Sequence, residues 1–521
     1  MNKAFIFLFI SFLFLNCKKR SEPISWNANY VIPISSDSIN IGKILGSEKL
    51  TLSNDGTHAI FNDTLTVFTL DQADFLPELD FSLTDTIDIP AIVYGFPFPP
   101  GFEIPVSYTK SEVFNFEDLK LSEIDFNNLK IKYSIKSNID GILYFNLTVP
   151  TATNHLGEQY NDTLTIPSTN GQMEIFEGEV PLDNYIFDLS NNDSTFNNIK
   201  TSLKIGYSSE NIDNIILSSN DFLSITLSLI DLNINTISGY LGNIEINDSN
   251  EISLPFMKKL SSENISVEDP KIQLMINNGL GLDAQIVLKK IAFNKNESST
   301  FLQHPIIDQS INISRALDLG WDFQYAKTTI DFNNQNSNIE ELIGEFPEKI
   351  NLKYHIETNP FGNHSGYNDF YNSNHALNVD VGMNIPLKFN LNNLIYTDTI
   401  SIDIPENIQP ESATIYMDIE NELPINCCVY MNIFNGDSLN ISPRCITSAN
   451  LSSSGNLNAS EVNSIEIQVS NNAMSQLINE KKLILSLVLN SPDSTMNFPL
   501  KEEQNFIYKM GIDLNTNISV E

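Results

Sequence analysis

The chain has 521 residues, with 65 acidic against 29 basic side chains, a formal net charge of −36 and 41% hydrophobic residues including 32 Phe. Such a field repels polyanions, which excludes nucleic acid as a partner and an anionic bilayer as a resting face for the body of the protein, while the apolar content excludes wholesale disorder. Asn makes up about one residue in eight and clusters with Asp, Ser, Thr and Gly between apolar stretches, so the chain reads as many strands joined by polar turns.

The first element is FIFLFISFLFLNCKKR over residues 5–20. Its apolar run, Ala4 to Leu15, is 12 residues long, short of the ~20 needed to cross a bilayer as a helix. With Lys3 in front it has the n-region and h-region of a secretory signal, and residues 1–16 are read as that leader. The end of the leader and the cysteine after it resemble the lipobox of bacterial lipoproteins, in which a cysteine directly after the apolar run is acylated through its sulfur and becomes the first residue of the mature chain. Cys17 stands there, preceded by Phe14, Leu15 and Asn16 where the family prefers Leu, a small residue, then Gly or Ala. The resemblance implies palmitate-type acylation of Cys17, and more than one acyl chain holds a protein at a membrane unaided. Residues 17–25 are then the anchored linker, with Lys18, Lys19 and Arg20 at head-group level.

About 500 residues remain, room for two to four domains, divided here into an N-terminal β-rich region 26–250, a middle β module 251–335 and a C-terminal β module 336–521. Pro90 to Pro105, PAIVYGFPFPPGFEIP, interleaves Tyr94, Phe96, Phe98 and Phe102 with prolines. Proline lowers the ordering cost of presenting aromatic rings, so these four are the candidate contact loop, against the alternative that they fold back as packing on a sheet edge. Leu129 to Ile135 and Leu143 to Val149 alternate apolar and polar on either side of Asp140-Gly141, the pattern of a hairpin. Alternation recurs at 223–229, 272–276, 350–356, 415–419, 483–489 and 506–514. It is longest at Leu377 to Leu391, where Pro386 marks a bend or an edge. Alternating runs predict antiparallel sheets, hence an all-β fold of antiparallel β-sandwich-like modules. Helices are expected only at 472–480 and after a capping box at Ser337 and Glu340. A phrase beginning Asp-Thr and ending in Pro recurs at 85–90, 162–167 and 398–405, compatible with related modules or with convergent strand chemistry.

Trp26 to Ile34, Ser238 to Gly242, Ile276 to Leu282, Glu357 to Pro360 and Asn421 to Pro424, together with the leader, resemble the ordered landmarks of large Bacteroidota-type outer-membrane lipoproteins. That resemblance implies export and a β-rich body, and the group offers no activity to carry over. Members sent to the cell surface carry acidic residues after the cysteine; the cations at 18–20 point instead to the periplasmic face of the outer membrane.

Three cysteines remain beyond Cys17. A three-residue hairpin loop at 435–437 would set Cys427 opposite Cys445 and predicts that disulfide, in keeping with an oxidising compartment; a one-residue slip would pair Cys428 instead, and three buried thiols are the other alternative. His364, Asp369 and His375 lie in one polar stretch, and Asp331, Asn333 and Gln335 begin like a calcium loop but lack its glycine and closing Glu. No metal site, catalytic residue or cofactor is expected: no HExxH, nucleophile elbow, phosphate loop or dinucleotide fingerprint is present. The reading is a non-enzymatic envelope protein, of binding or structural type, held to the membrane through the lipid on Cys17, with an envelope protein or glycan as partner. A glycan-active exported enzyme and a lipid-binding periplasmic protein are the alternatives.

Overall fold

A computed structural model describes residues 24–70, 81–116, 118–190, 195–254, 257, 260–261, 264–403, 410–435, 438–439, 444–452 and 456–520. The leader, Cys17 and the first part of the linker lie outside these residues. The fold is all-β, its paired strands antiparallel, with three short α-helices among the described residues: Ile41–Leu45, Ile339–Gly344 and Asn471–Glu480.

The strands sort into three sandwiches. In the basal module a sheet ordered Ile24–Ile39, Phe506–Val520, Pro410–Asn421, Glu461–Val469 goes with one ordered Leu394–Ser401, Lys482–Asn490, Asn426–Ile433, Arg444–Ile446. The middle module repeats the scheme: Ala59–Leu70, Leu377–Pro386, Lys271–Asn278, Ala326–Phe332 go with Glu245–Ser253, Lys349–Thr358, Ala284–Lys295 and the edge pieces Ser298–Phe301 and Ser310–Ile313. In the apical module Ser82–Thr86, Leu223–Tyr240, Lys120–Ser137, Glu174–Pro181 go with Glu103–Val113, Asn198–Tyr207, Leu143–Asn154, Gln159–Ile166. All three follow one path through eight strand positions, that of a jelly roll.

The modules are nested. Between its first and second strands the basal module holds the whole middle module, and at the same point the middle module holds the apical one; in the apical module that connection is residues 87–102. Strand pairing therefore crosses the linear division at 250 and 335: Ile24–Ile39 pairs with Phe506–Val520, and Ala59–Leu70 with Leu377–Pro386. Each strand settles where its apolar face is covered, however distant its partner in sequence.

Register fixes which end faces which. Ile24 lies opposite Val520 at the foot of the basal module. Asp369 to Asn372, from the upper end of the middle module, adds to Thr236–Gly239 at the foot of the apical one. The Leu223 end of that last strand, beside Ile87, is therefore the free end. With strands of about ten residues at ~3.3 Å each, the free end stands on the order of 100 Å from the foot.

The run Leu377 to Leu391 is two strands, Leu377–Pro386 and Lys388–Asn392, with Leu377, Val379, Val381, Met383, Ile385, Leu387, Phe389 and Leu391 all buried. Pro386 marks the passage from middle to basal module, where Leu387, Ala59 and Leu500 share backbone hydrogen bonds of 2.8 Å each. The expected hairpin at Asp140-Gly141 is instead an arch: Lys120–Ser137 and Leu143–Asn154 do not pair with each other, and Tyr185–Asp188, paired with both, joins the two halves of the module at one end. Both strands alternate because both face the core between those halves. Gly141 has φ +109°, and a Cβ there would stand 2.4 Å from the Tyr207 ring. The same arch recurs in each module, closed by a fully buried polar side chain that accepts from the N–H two residues on: Ser137 from Ile139 (3.1 Å), Asn278 from Leu280 (2.9 Å), Asn421 from Leu423 (3.1 Å).

The Asp-Thr phrase does not mark equivalent strands. It falls on Ser82–Thr86, Gln159–Ile166 and Leu394–Ser401, at three different module positions near sheet margins, and each time the Asp accepts from the N–H of the following Thr (2.8, 2.8 and 2.9 Å). It is chemistry for a margin, where a charge discourages stray strand pairing. Ser470 caps Asn471–Glu480 through the Ala473 N–H, whereas Ser337 caps nothing and bonds back to Asn333 O at 2.9 Å.

Candidate functional site

The connection 87–102, which in the other modules carries a further module, is here a compact loop. Pro90 leads into a 3-10 turn at Ala91–Val93, and Tyr94 Oη donates to Ile89 O at 2.8 Å. Gly95 N–H reaches Leu217 O at 2.9 Å, Pro97 and Phe98 pair with Ile216 and Ile215, and Gly101 and Phe102 exchange hydrogen bonds with Tyr207 at 2.9 Å each. Two loops, 87–102 and 208–222, are thus tied into one platform, so little ordering cost remains when something binds it.

Of the four aromatic residues singled out from sequence, the platform presents two. Phe96 and Phe102 are 61% and 42% exposed, whereas Phe98 is buried, its ring stacked on Phe102 at 5.2 Å, and Tyr94 is half-buried. Phe98 and Tyr94 are therefore the platform's own packing, because the pairing with Ile215–Ile216 turns Phe98 inward. Three residues that sequence reasoning passed over complete the surface: Ile92 at 81%, Ile212 at 93% and Ile216 at 61% exposure. The signal at Ile212 was a large apolar side chain set among Asn211, Asp213 and Asn214, where a turn normally carries none. Patches of this kind on soluble proteins mark contact sites. The four loops at this end, 87–102, 138–142, 167–173 and 208–222, hold Asp88, Asp140, Glu210, Asp213 and Asp221 and no Lys or Arg.

At the corresponding end of the middle module the inner apolar side chains are covered, while Leu317, Trp321 and Phe361 on the outer loops stay exposed. Leu280, Leu282, Ala316 and Tyr371 are buried there. Asp369, 1% exposed, accepts from Leu241 N–H (3.1 Å) and from the Asn359 amide (2.8 Å), which also donates to Gly242 O (2.9 Å). Arg315 lies 3.9 Å from the other Asp369 oxygen and donates to Asn368 O. Tyr367 stacks on Phe196 of the apical module at 4.4 Å with Lys120 above its ring. Gly281 is obligatory, since a Cβ there would stand 2.1 Å from the Phe370 ring. The landmarks Ser238 to Gly242, Ile276 to Leu282 and Glu357 to Pro360 meet at this junction.

The remaining candidates disperse. His375 stacks on Phe323 at 3.7 Å and bonds Tyr325 at 2.7 Å, while Asp369 is committed to the junction. Asp331 accepts from Gln273 at 2.7 Å and Asn333 closes a turn on Gln335 at 2.9 Å. The disulfide joins Cys428, not Cys427, to Cys445. Asn432 bridges Ser438 but Cys428 faces Cys445, so the returning strand takes up an odd number of extra residues between the two pairings, which exchanges its faces. Cys427 points into the core as a free thiol, its pKa pushed up by burial. An apolar cavity of about 80 Å³ sits between the basal and middle modules, lined by Phe61, Ile343, Leu387, Phe389 and Leu423 among others, well below the ~300 Å³ of a small-ligand pocket.

No family model and no curated protein matches the chain. Among solved structures it is similar to a candidate secreted protein from Parabacteroides distasonis, at 15% identity and TM-score 0.26 over 52% of this chain and 82% of that one. It is also similar to a peptide-N(4)-(N-acetyl-beta-D-glucosaminyl) asparagine amidase, at 10% identity and TM-score 0.15 over 58% of this chain and 96% of that one. The infectious bursal disease virus VP2 subviral particle is similar at 10% identity and TM-score 0.12 over 92% of this chain and 87% of that one. Likenesses at these TM-scores bear on neither fold nor chemistry here. Among the described residues no helix is long and apolar enough to cross a membrane.

Proposed function

We propose that the protein is a lipid-anchored envelope stalk: acylation of Cys17 holds the basal module at the outer membrane, on its periplasmic face, and the stacked modules carry a binding surface away from it. The observation that carries this reading is the opposition of ends. Ile24, a few residues after Cys17, lies at the foot of the basal module, while Phe96, Ile212 and Ile216 stand uncovered at the far end of the apical module. A binding role fits an apical platform that gathers exposed apolar side chains and acids. Fractionation tests the anchor: the wild-type body is expected in the membrane fraction and the Cys17→Ser body in the soluble one. Equal distribution of the two would sink the anchor. Maleimide labelling of Ile212→Cys in intact and lysed cells reads the face: labelling only after lysis fits the periplasm, and labelling of intact cells would move the stalk to the surface.

A further inference from the structure

We infer that the apical platform is a socket for the end of a β-sandwich domain on another exported protein, one bearing Lys or Arg around an apolar centre, so that a contact made twice within this chain is made a third time with a partner. The inference rests on the apical end being the contact surface proposed above.

Each of the other two upper ends is covered by the foot of the next module, and each cover is held by a short strand from the loop before the last long strand. In the basal module that strand is Phe498–Pro499, which pairs with Lys388 and Phe389 on the chain descending from the middle module. In the middle module it is Asp369–Asn372, which pairs with the foot of the apical module. The apical equivalent, Ile215–Ile216, has no module above it and pairs back onto Pro97 and Phe98 of its own end. The surface that would receive a cover persists, with Ile92, Phe96, Ile212 and Ile216 exposed on it.

Charge selects among occupants. At the covered junction the lower module offers Tyr367 and the covering module sets Lys120 above that ring, 5.8 Å from its centroid. The apical loops themselves offer five acids and no cation. Lys136 reaches over the Phe222 ring, 5.9 Å from its centroid, and Lys204 lies 3.7 Å from Glu103 beside them, but the acids are in excess, so the complementary cover is cationic at its rim. The same acids repel a second apical end and an anionic lipid surface.

The test uses the full chain in cells, with p-benzoylphenylalanine replacing Phe96 or Ile212 at the platform and Val31 or Val462, exposed on the basal module, as controls. Irradiation is expected to give a discrete protein adduct from positions 96 and 212 and none from 31 and 462. The partner peptide is expected to map to a loop at one end of a β-sandwich next to Lys or Arg. Glu210→Lys with Asp213→Lys, both exposed, is expected to lower adduct yield at least fivefold without shifting Tm. No adduct, adducts to lipid or glycan, equal adducts at the control positions, or yields unmoved by the charge reversal would each overturn the socket. The maleimide label on Ile212→Cys separates the two levels: a labelled tip with no protein adduct removes the socket and leaves the contact-end reading, whereas a tip still unlabelled after lysis removes both.

Discussion

At the upper end of the middle module, Leu280 and Leu282 are fully buried and Asp369 has an N–H and an amide aimed at it; at the upper end of the apical module, the same set of loops leaves Ile92 and Ile212 more than four-fifths exposed. The two ends share topology and differ in whether a module sits on top, although the covered end also keeps exposed apolar side chains on its outer loops, Trp321 and Phe361 among them. Burying a Leu or Ile is worth roughly 1.5–3 kcal/mol, so the covered end recovers that stability within the folded chain and the open end does not. A sequence that keeps such residues at an uncovered end forgoes that stability unless a partner supplies it.

The largest effect that would break this comparison lies at the covered end. Leu280→Ala is expected to cost about 3 kcal/mol in denaturant unfolding, while Ile212→Ala at the open end changes stability by less than about 0.5 kcal/mol; comparable losses at both sites would mean the apical end is not open in solution. Next comes the polar half of the junction. Asp369→Ala strands the Leu241 N–H and the Asn359 amide and is expected to cost about 2 kcal/mol, with faster hydrogen exchange at Leu241 as the local readout. Unchanged exchange there would detach Asp369 from the junction.

A smaller effect is pH-dependent and belongs to the lower junction. His58 is buried beside Ala59, and burial, with Lys388 adding to it, holds its pKa below the usual imidazole value; Asp55 and Glu268 oppose this weakly. Burial lowers the pKa of His304 in the same direction. An imidazole with a depressed folded-state pKa binds fewer protons folded than unfolded, so its contribution is full above about pH 6.5 and is lost as pH falls through that value. The expected result is a Tm that declines between pH 7.5 and 5, with a shallower decline in His58→Gln. The carboxylates held low by hydrogen bonds, Asp37 by Lys43 and Asp85 by Tyr108 and Lys110, act only at more acid pH; an identical decline in His58→Gln would shift the cause to groups other than His58. Smallest of all, replacing Ile92, Phe96, Ile212 and Ile216 together by Ser is expected to move stability by less than about 1 kcal/mol, and a larger loss would make the platform core.

Strand identity was legible wherever one face is buried: the parity of Leu223 to Leu229, Ile350 to Ile356 and Leu483 to Leu489 is the parity of the core. Alternation reports a buried face and says nothing of the neighbour, which is why 129–135 and 143–149 read as a hairpin although they do not pair with each other. The nesting was invisible for the same reason: nothing local in Ile24–Ile39 names Phe506–Val520 as its partner. The cysteine pairing turned on the number of residues a loop absorbs, which alternation leaves open. At the site, proline spacing singled out Phe96 and Phe102, which are exposed, together with Phe98, which is not. It could not separate Phe98 from them, because the strand that buries Phe98 lies more than a hundred residues further on.

Nesting also sets an order of assembly. A chain that emerges from its amino end delivers Ile24–Ile39, Ala59–Leu70 and Ser82–Thr86 first, each as a strand without its final partner. Closure then proceeds outermost last: the apical module is complete once residue 240 has emerged, the middle one at 386, and the basal one only with Phe506–Val520. The pairing of Ile24 with Val520 spans nearly the whole chain, and contacts that distant are slow to form and leave edges open while they wait. The amino-terminal strand is thus the first made and the last secured, and a chain cut short at its carboxyl end would retain a finished tip on an unfinished foot.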